Sequence, residues 1–328
     1  MLFRNGELGS MIKQTMSGDS YIHEMVSIEF EMLYTCDKAC SYCYNPIPRY
    51  FGAKTDVKEQ TWKKIMGVEG PLQVILLGGE STFFKPVFGW WNEYCAKYKD
   101  DESKHLIIYT HGNNKPEVYD KFIEKGNKRC FLGFSYHPGQ TDEDLYFYNI
   151  ERLRKRGVNI VVCQVITDDT STWAHNWEIL KRVKELGCET QIEFFVSKDT
   201  GKRGGLVEAQ DYFSDFVYQD CHVQDLHFSG DEELNILRSE YNAYFPKGMS
   251  NVHKICKNRT YLIDANCRLK YECQVNGLGV DLVEDIDGFD DFVKPKGISC
   301  KQECPSSAAV LNDKTFFASS IEEITQYD

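Results

Sequence analysis

Three cysteines near the start of the chain have a spacing that suits an iron–sulfur cluster. They are Cys36, Cys40 and Cys43, in the pattern Cys-x3-Cys-x2-Cys. Three thiolates can hold a 4Fe–4S cubane and leave its fourth iron without a protein ligand, open to a second molecule. Structural zinc usually takes four Cys or His ligands, and the next cysteine or histidine after Cys43 is Cys95. The spacing favours a cluster over zinc or unused core thiols.

The cysteine run, with the aromatic Tyr42 just before its last cysteine, resembles the signature of the radical S-adenosylmethionine (radical SAM) enzymes. The resemblance implies that S-adenosylmethionine (AdoMet) binds the open iron through its amino and carboxylate groups, with Tyr42 in the cofactor site. Reductive cleavage then gives methionine and a 5′-deoxyadenosyl radical, which takes a hydrogen from the substrate. Such chemistry belongs to the cofactor, and the protein positions and shields it.

Short apolar runs alternate with amphipathic stretches after residue 25, which is typical of successive βα units. The pattern predicts strands at 25–33, 72–77, 105–109, 130–136, 159–166 and 190–196. It predicts helices near 57–67, 86–98, 115–125, 141–156 and 172–186. We therefore expect an α/β fold, a partial (β/α)6 TIM-like barrel that is open on one side. Functional residues of such barrels gather where strands end.

The sequence Gly78-Gly79-Glu80 follows the second predicted strand. Glycines let the backbone approach a ligand closely, and a carboxylate accepts hydrogen bonds from an ammonium group. The resemblance assigns these three residues to the amino group of AdoMet. It also makes Asn113, within Thr110-His111-Gly112-Asn113, a pocket candidate, although His111 is an insertion relative to the family's Thr-Asn-Gly.

Three further polar residues are candidates for the AdoMet pocket. Ser135 and His137 end the fourth predicted strand, where the family places groups that contact the ribose or the methionine carboxylate; a histidine that caps the next loop is the alternative. Gln164 is the polar residue of a strand that is otherwise apolar. A buried amide needs hydrogen-bond partners, so Gln164 faces either the barrel interior or bonded core partners. We expect Gln164 to face the barrel interior and the AdoMet pocket.

Five later cysteines surround a predicted β-hairpin with its turn at 264–267. Cysteine, hairpin, cysteine and a final Cys-x3-Cys-Pro resemble the SPASM and Twitch auxiliary-cluster domains that follow many radical SAM barrels. That pattern usually has glycine where this chain has Cys267. The resemblance thus implies a second 4Fe–4S cluster held by Cys256, Cys273, Cys300 and Cys304. Zinc held by the same four thiolates is the alternative. Cys95, Cys130, Cys163, Cys188 and Cys221 are expected to be core thiols.

Composition limits the function classes. A net charge of −12 disfavours general binding to nucleic acid, without excluding it. No apolar run is long enough to span a membrane, and the first twenty residues lack the apolar core of a secretory signal. Thirteen cysteines in such a chain suit metal ligands and reduced thiols, which indicates a cytoplasmic protein.

The expected organisation is an N-terminal extension (1–25), the barrel (26–200), a linker of helical segments (201–250), a SPASM/Twitch-like auxiliary-cluster domain (251–310) and a C-terminal tail (311–328).

Family enzymes of this build often modify peptides, so we expect a radical SAM oxidoreductase or modifying enzyme that acts on a peptide, as in ribosomal peptide maturation. Modification of a nucleoside or nucleic acid component, or dehydrogenation of a small metabolite, is the alternative. A reductant such as flavodoxin or ferredoxin is the expected partner. A non-catalytic electron-transfer or zinc-scaffold protein would leave Gly78-Gly79-Glu80 without a role.

Overall fold

The computed structural model describes residues 26–40, 43, 50–167, 169–194, 212, 221–223, 255–256, 260–271, 279–293, 298–299 and 317–318. Its strands are β1 (Val26–Glu31), β2 (Leu72–Leu77), β3 (Lys104–Thr110), β4 (Cys130–Tyr136), β5 (Ile160–Ile166), β6 (Glu189–Phe194), β7 (Cys221–Val223), β8 (Ile255–Cys256), β9 (Thr260–Ile263), β10 (Arg268–Tyr271), β11 (Gly279–Asp281), β12 (Ile298–Ser299) and β13 (Phe317–Ala318). Its α-helices are α1 (Thr55–Met66), α2 (Pro86–Lys97), α3 (Pro116–Tyr119), α4 (Glu143–Lys155), α5 (Trp173–Glu185) and α6 (Gly288–Phe292).

Strands β1 to β7 follow one another as parallel neighbours in a single sheet. The hairpin β9–β10 continues that sheet, because β9 pairs in parallel with β1, and β11 then pairs antiparallel with β10. Strands β12, β8 and β13 form a small separate sheet. The α/β class, the parallel barrel sheet and the C-terminal hairpin are therefore confirmed.

The central strands are buried on both faces, as expected for a parallel sheet covered by helices. One face packs against the helix layer in the main core. The other face carries a smaller apolar cluster of Ile107, Phe131 and Val161, with Tyr109 against it. Because side chains alternate along a strand, these two clusters identify the helix-facing side and the inner side of the sheet. No helix among the described residues is long and apolar enough to cross a membrane.

The helix predicted at 115–125 was too long, because α3 ends at Tyr119. Side chains of α2 form hydrogen bonds with the backbone groups that a longer α3 would use for its own helical bonds. Asn92 accepts hydrogen bonds from the amides of Ile123 and Glu124, and the Trp91 indole donates to the Glu124 carbonyl oxygen at 2.8 Å. These tertiary bonds hold the segment in a non-helical conformation.

The other predicted helices and the strands β1 to β6 occur within a few residues of their predicted bounds. In the stretch read as a helical linker, β7 is a strand that extends the sheet. Apart from β7 and Tyr212, the predicted linker lies outside the described residues, as do the extension 1–25 and all but β13 of the tail.

Candidate cofactor site at the ends of the first strands

The cysteine loop, which we define as residues 33–43, begins two residues after β1 ends. None of Cys36, Cys40 and Cys43 is in a disulfide, and all three are half-buried. The amide of Cys43 donates to the Cys40 carbonyl oxygen at 3.1 Å, and the Lys38 amide lies 3.4 Å from Cys36 Sγ. Burial raises the pKa of the Cys36 thiol to about 11, so iron binding at this residue must displace a proton.

The glutamate loop, residues 78–83, follows β2 and stacks directly on the cysteine loop. The amide of Gly79 donates to the Leu33 carbonyl oxygen at 2.7 Å, and the amide of Glu80 donates to the Thr35 carbonyl oxygen at 2.8 Å. A Cβ atom on Gly78 or Gly79 would overlap those same carbonyls. The sequence suggested that the glycines admit a ligand. In the structure, both are required for the contact between the two loops.

Glu80 is fully buried at the centre of a hydrogen-bond network. Its Oε1 accepts from the Thr82 amide at 3.1 Å and hydroxyl at 2.6 Å, the Thr110 hydroxyl at 2.7 Å and the Asn114 amide nitrogen at 3.3 Å. Its Oε2 accepts from the His111 backbone amide at 2.8 Å. A carboxylate offers about four lone-pair sites. These protein donors therefore already fix the orientation of Glu80 and connect the ends of β2 and β3.

His111 joins this network to the cysteine loop. Its Nδ1 accepts from the Asn113 amide at 3.0 Å, which places the ring proton on Nε2. Nε2 lies 2.9 Å from an Asp37 carboxylate oxygen and 3.3 Å from Glu80 Oε2. The imidazole is buried, and Asp37 adjoins Cys36. The inserted histidine therefore lies between one acid of the cysteine loop and one of the glutamate loop.

Comparisons with solved structures identify this arrangement of strands. No family model and no curated protein matches the sequence. In fold, the chain matches Streptococcus suis SuiB with a TM-score of 0.57 and 14% identity, over 89% of this chain and 72% of that chain. It matches anSMEcpe with bound AdoMet at 0.52 and 16% identity, over 80% of this chain and 78% of that chain. Both are radical SAM enzymes of the SPASM type. The chain has the radical SAM fold.

A second SuiB structure, bound to its precursor peptide SuiA, matches with a TM-score of 0.54 and 15% identity, over 88% of this chain and 68% of that chain. In this chain the cysteine loop follows β1. At these identities the likeness concerns the fold, so the roles of individual residues depend on this chain's own geometry.

Three of the predicted pocket residues lie at or just after the carboxyl ends of β3 and β4. Ser135 and His137 alternate with Phe134 and Tyr136, which belong to the helix-facing core, so they project from the inner side of β4. Burial lowers the pKa of His137 to about 4, with smaller contributions from His111 and Lys38. The Asn113 side chain forms two hydrogen bonds with the backbone of Asp142, which precedes α4. Its amide nitrogen donates to the Asp142 carbonyl oxygen, and its amide oxygen accepts from the Asp142 amide.

Gln164 does not line the pocket, which corrects our expectation. It pairs with Tyr136 across β4 and β5 and lies two residues after Val162, on the same face of the strand, so its side chain belongs to the helix-facing side. Its Nε2 donates to Asn176 Oδ1 on α5 at 3.1 Å, and both residues are fully buried. The amide nitrogen therefore has a bonded core partner, the alternative that the burial argument left open, whereas Oε1 is buried without a hydrogen-bond partner among the described residues.

The three thiols of the cysteine loop form a donor set that suits a cubane. Among the described residues, no three His, Cys, Asp or Glu side chains converge as the ligands of one metal ion would. A cubane spreads its cysteines over different irons, and three half-buried thiols on one loop supply such a donor set. Cys36, Cys40 and Cys43 are the residues that would hold it.

The remaining candidates are placed only in part. The backbone of Cys256 lies in β8, whereas Tyr42, Cys273, Cys300 and Cys304 lie outside the described residues. Cys267 is described, and it is fully buried in the hairpin turn with φ of +60°. That left-handed conformation favours glycine, the residue which the SPASM/Twitch pattern usually has there.

Sequence reasoning missed Asp37 and Asn114. Asp37 contacts His111 across the two loops, and Asn114 donates to both Glu80 and Thr82. The only available signal was their position, next to Cys36 and next to the Thr-His-Gly-Asn element.

Proposed function

We propose that this chain is a radical SAM enzyme that binds AdoMet where the cysteine loop meets the glutamate loop, cleaves it reductively and takes a hydrogen atom from a substrate. One observation carries the proposal. The loop with three cysteines is hydrogen-bonded through its backbone to Gly79 and Glu80, at the carboxyl ends of adjacent parallel strands. Barrel enzymes build their active sites at this end of the strands.

Each group of the protein's own residues contributes one part of the proposed site. Cys36, Cys40 and Cys43 would hold the 4Fe–4S cluster, which when bound would supply the electron for AdoMet cleavage. Gly78 and Gly79 let the two loops meet, and Glu80 keeps the ends of β2 and β3 together beside the ammonium site.

Ser135 and His137, on the inner side of β4, are the groups proposed to contact the ribose or carboxylate of AdoMet, and Tyr42 and Asn113 complete the proposed pocket. Burial keeps His137 neutral at physiological pH, because its pKa is lowered to about 4. A neutral imidazole can donate or accept a hydrogen bond without adding a cation beside the sulfonium of AdoMet.

We further propose one auxiliary 4Fe–4S cluster on Cys256, Cys273, Cys300 and Cys304, beside the hairpin β9–β10. The hairpin with a cysteine before it and a cysteine after it supports this assignment, as does the SPASM type of both structural relatives. Four cysteine thiolates are the usual ligand set of a complete cubane.

A peptide or protein is the proposed substrate, and the activity is that of a modifying oxidoreductase. SuiB has been crystallised with its precursor peptide SuiA, and anSMEcpe with the Cp18Cys peptide. A flavodoxin or ferredoxin would supply the electron. Thirteen cysteines and no recognisable disulfide framework suit a reducing cytoplasm.

Iron analysis and electron paramagnetic resonance (EPR) test this proposal. Anaerobically reconstituted protein should hold about eight irons, and the triple variant Cys36→Ala/Cys40→Ala/Cys43→Ala should hold about four. AdoMet should change the EPR spectrum of the reduced wild type but leave that of the triple variant unchanged. A spectrum of the wild type that is insensitive to AdoMet would contradict the proposed site. About four irons with stoichiometric zinc would contradict the second cluster.

A further inference from the structure

The start of the cysteine loop is bonded to the segment that follows the loop. The amide of Tyr34 donates to the Tyr50 carbonyl oxygen at 2.7 Å, and the two rings stack with centroids 6.2 Å apart. The Tyr34 hydroxyl also donates to a Glu31 carboxylate oxygen at 2.7 Å, at the end of β1. The segment that carries the three cysteines is thus closed at its base.

The segment after the cysteine loop is held by the hairpin turn, residues 264–267. The Tyr50 hydroxyl donates to Asn266 Oδ1 at 2.5 Å, and the Ala53 amide donates to the Ala265 carbonyl oxygen at 2.8 Å. Gly52 has φ of +72°, and a Cβ atom there would overlap the Ala265 carbonyl. The turn therefore binds residues 50–53 by two hydrogen bonds and close backbone packing.

The hairpin turn is itself rigidly fixed. Asp264 Oδ1 accepts from the amides of Asn266 at 2.9 Å and Arg268 at 3.1 Å. The Cys267 amide donates to the Asp264 carbonyl oxygen at 2.8 Å, and the Cys267 carbonyl accepts from the Leu282 amide at 3.0 Å. A non-glycine residue stays in the left-handed region only where its surroundings determine the conformation. The turn can therefore act as a fixed support.

We propose that the hairpin turn is a positioning element of the cysteine loop, with Asn266 and Tyr50 as its positioning residues. Because β9 lies beside β1 in the sheet, the turn reaches the same edge as the cysteine loop. The hairpin of the proposed auxiliary-cluster unit would then also determine how firmly the first three cysteines are held. The part of this inference that concerns iron rests on the proposed function; the contact between turn and loop does not.

Amide hydrogen exchange on the full-length protein tests the contact. In Tyr50→Phe and in Asn266→Ala, the amides of Ala53 and Tyr34 should exchange several-fold faster, up to about tenfold, as expected for one lost hydrogen bond. The double variant should match the more affected single variant, because both changes remove the same bond. Tyr148→Phe, at an exposed tyrosine of α4, is the matched control and should exchange like wild type.

Release of iron to a ferrous chelator tests the consequence for the cluster. Both single variants should lose iron several-fold faster from the cluster whose EPR spectrum responds to AdoMet, and the control should not. Unchanged exchange in both single variants, or additive effects in the double variant, would overturn the positioning role. Faster exchange with unchanged iron release would overturn its link to the cluster. Exchange does not require AdoMet chemistry, so its result is separate from the test of the proposed function.

Discussion

The imidazole Nε2 of His111 lies 2.9 Å from a carboxylate oxygen of Asp37, although the two residues belong to different loops of the barrel. The same nitrogen lies 3.3 Å from Glu80 Oε2. This buried nitrogen makes no hydrogen bond among the described residues, so its contact with the two carboxylates is electrostatic. The histidine inserted after Thr110 therefore contributes to the contact between the cysteine loop and the glutamate loop.

Replacing His111 should loosen that contact. His111→Ala removes the imidazole that lies close to both Asp37 and Glu80, so we expect AdoMet to bind about two- to fivefold more weakly, the loss typical of one ion-pair contact. His111→Gln, which keeps an N–H donor, should recover part of the affinity. His175→Ala, at a histidine that bonds Glu143 instead, is the control. Titration of the EPR change with AdoMet measures the affinity, and equal affinities in all variants would contradict this role.

Glu80→Ala should affect both binding and stability. AdoMet affinity should fall about ten- to hundredfold if the carboxylate stabilises the ammonium group. The variant should also unfold at a lower temperature, because buried donors of Thr82, Thr110 and Asn114 lose their acceptor. Glu80→Gln keeps one acceptor oxygen and should be intermediate in both measurements. A variant that loses stability but keeps wild-type affinity would limit Glu80 to a structural role.

The sequence predicts the barrel strands well because each is a short apolar run between loop residues. It predicts the length of α3 poorly, since the side chains of Asn92 and Trp91 that end the helix come from another helix. The sequence also does not determine which face of β5 carries Gln164. A strand that is buried on both sides has no alternation of polar and apolar residues to mark its inner face.

The cysteine motif and Gly78-Gly79-Glu80 are local patterns, so the sequence alone locates them. The contact between Asp37 and His111 depends on two loops meeting in space, and so does the bond between Tyr50 and Asn266. Neither pair has a spacing rule that a single sequence could reveal.

Cys267 should be dispensable for both clusters. Cys267→Ala is expected to retain full iron content, whereas Cys273→Ala should lose or destabilise the second cluster. Cys267→Gly should keep both clusters as well and relieve the left-handed backbone at this position, at the cost of a buried side chain. Iron analysis of the three variants decides the assignment. Loss of iron in Cys267→Ala with full content in Cys273→Ala would reverse it.

His105 should make stability fall in mild acid. Burial, chiefly, lowers its pKa to about 4, against an unfolded value of about 6.5. The unfolded chain therefore binds more protons below pH 6.5, so the contribution is complete above that pH and is lost as the pH falls toward 4. We expect about 2 kcal/mol less stability from this residue at pH 5 than at pH 7. Urea unfolding of metal-free wild type and His105→Gln checks this, and an equal pH dependence in both would contradict it.

Production of 5′-deoxyadenosine tests the central claim most directly. Under strict anaerobiosis, with dithionite and AdoMet but no substrate, cluster-loaded wild type should slowly form 5′-deoxyadenosine and methionine in equal amounts. A peptide substrate should raise that rate, because it completes the pocket and supplies the hydrogen. The triple variant of Cys36, Cys40 and Cys43 should form none. If fully loaded wild type forms no 5′-deoxyadenosine, the chain is not a radical SAM enzyme, and an electron-transfer or scaffold role replaces the proposal.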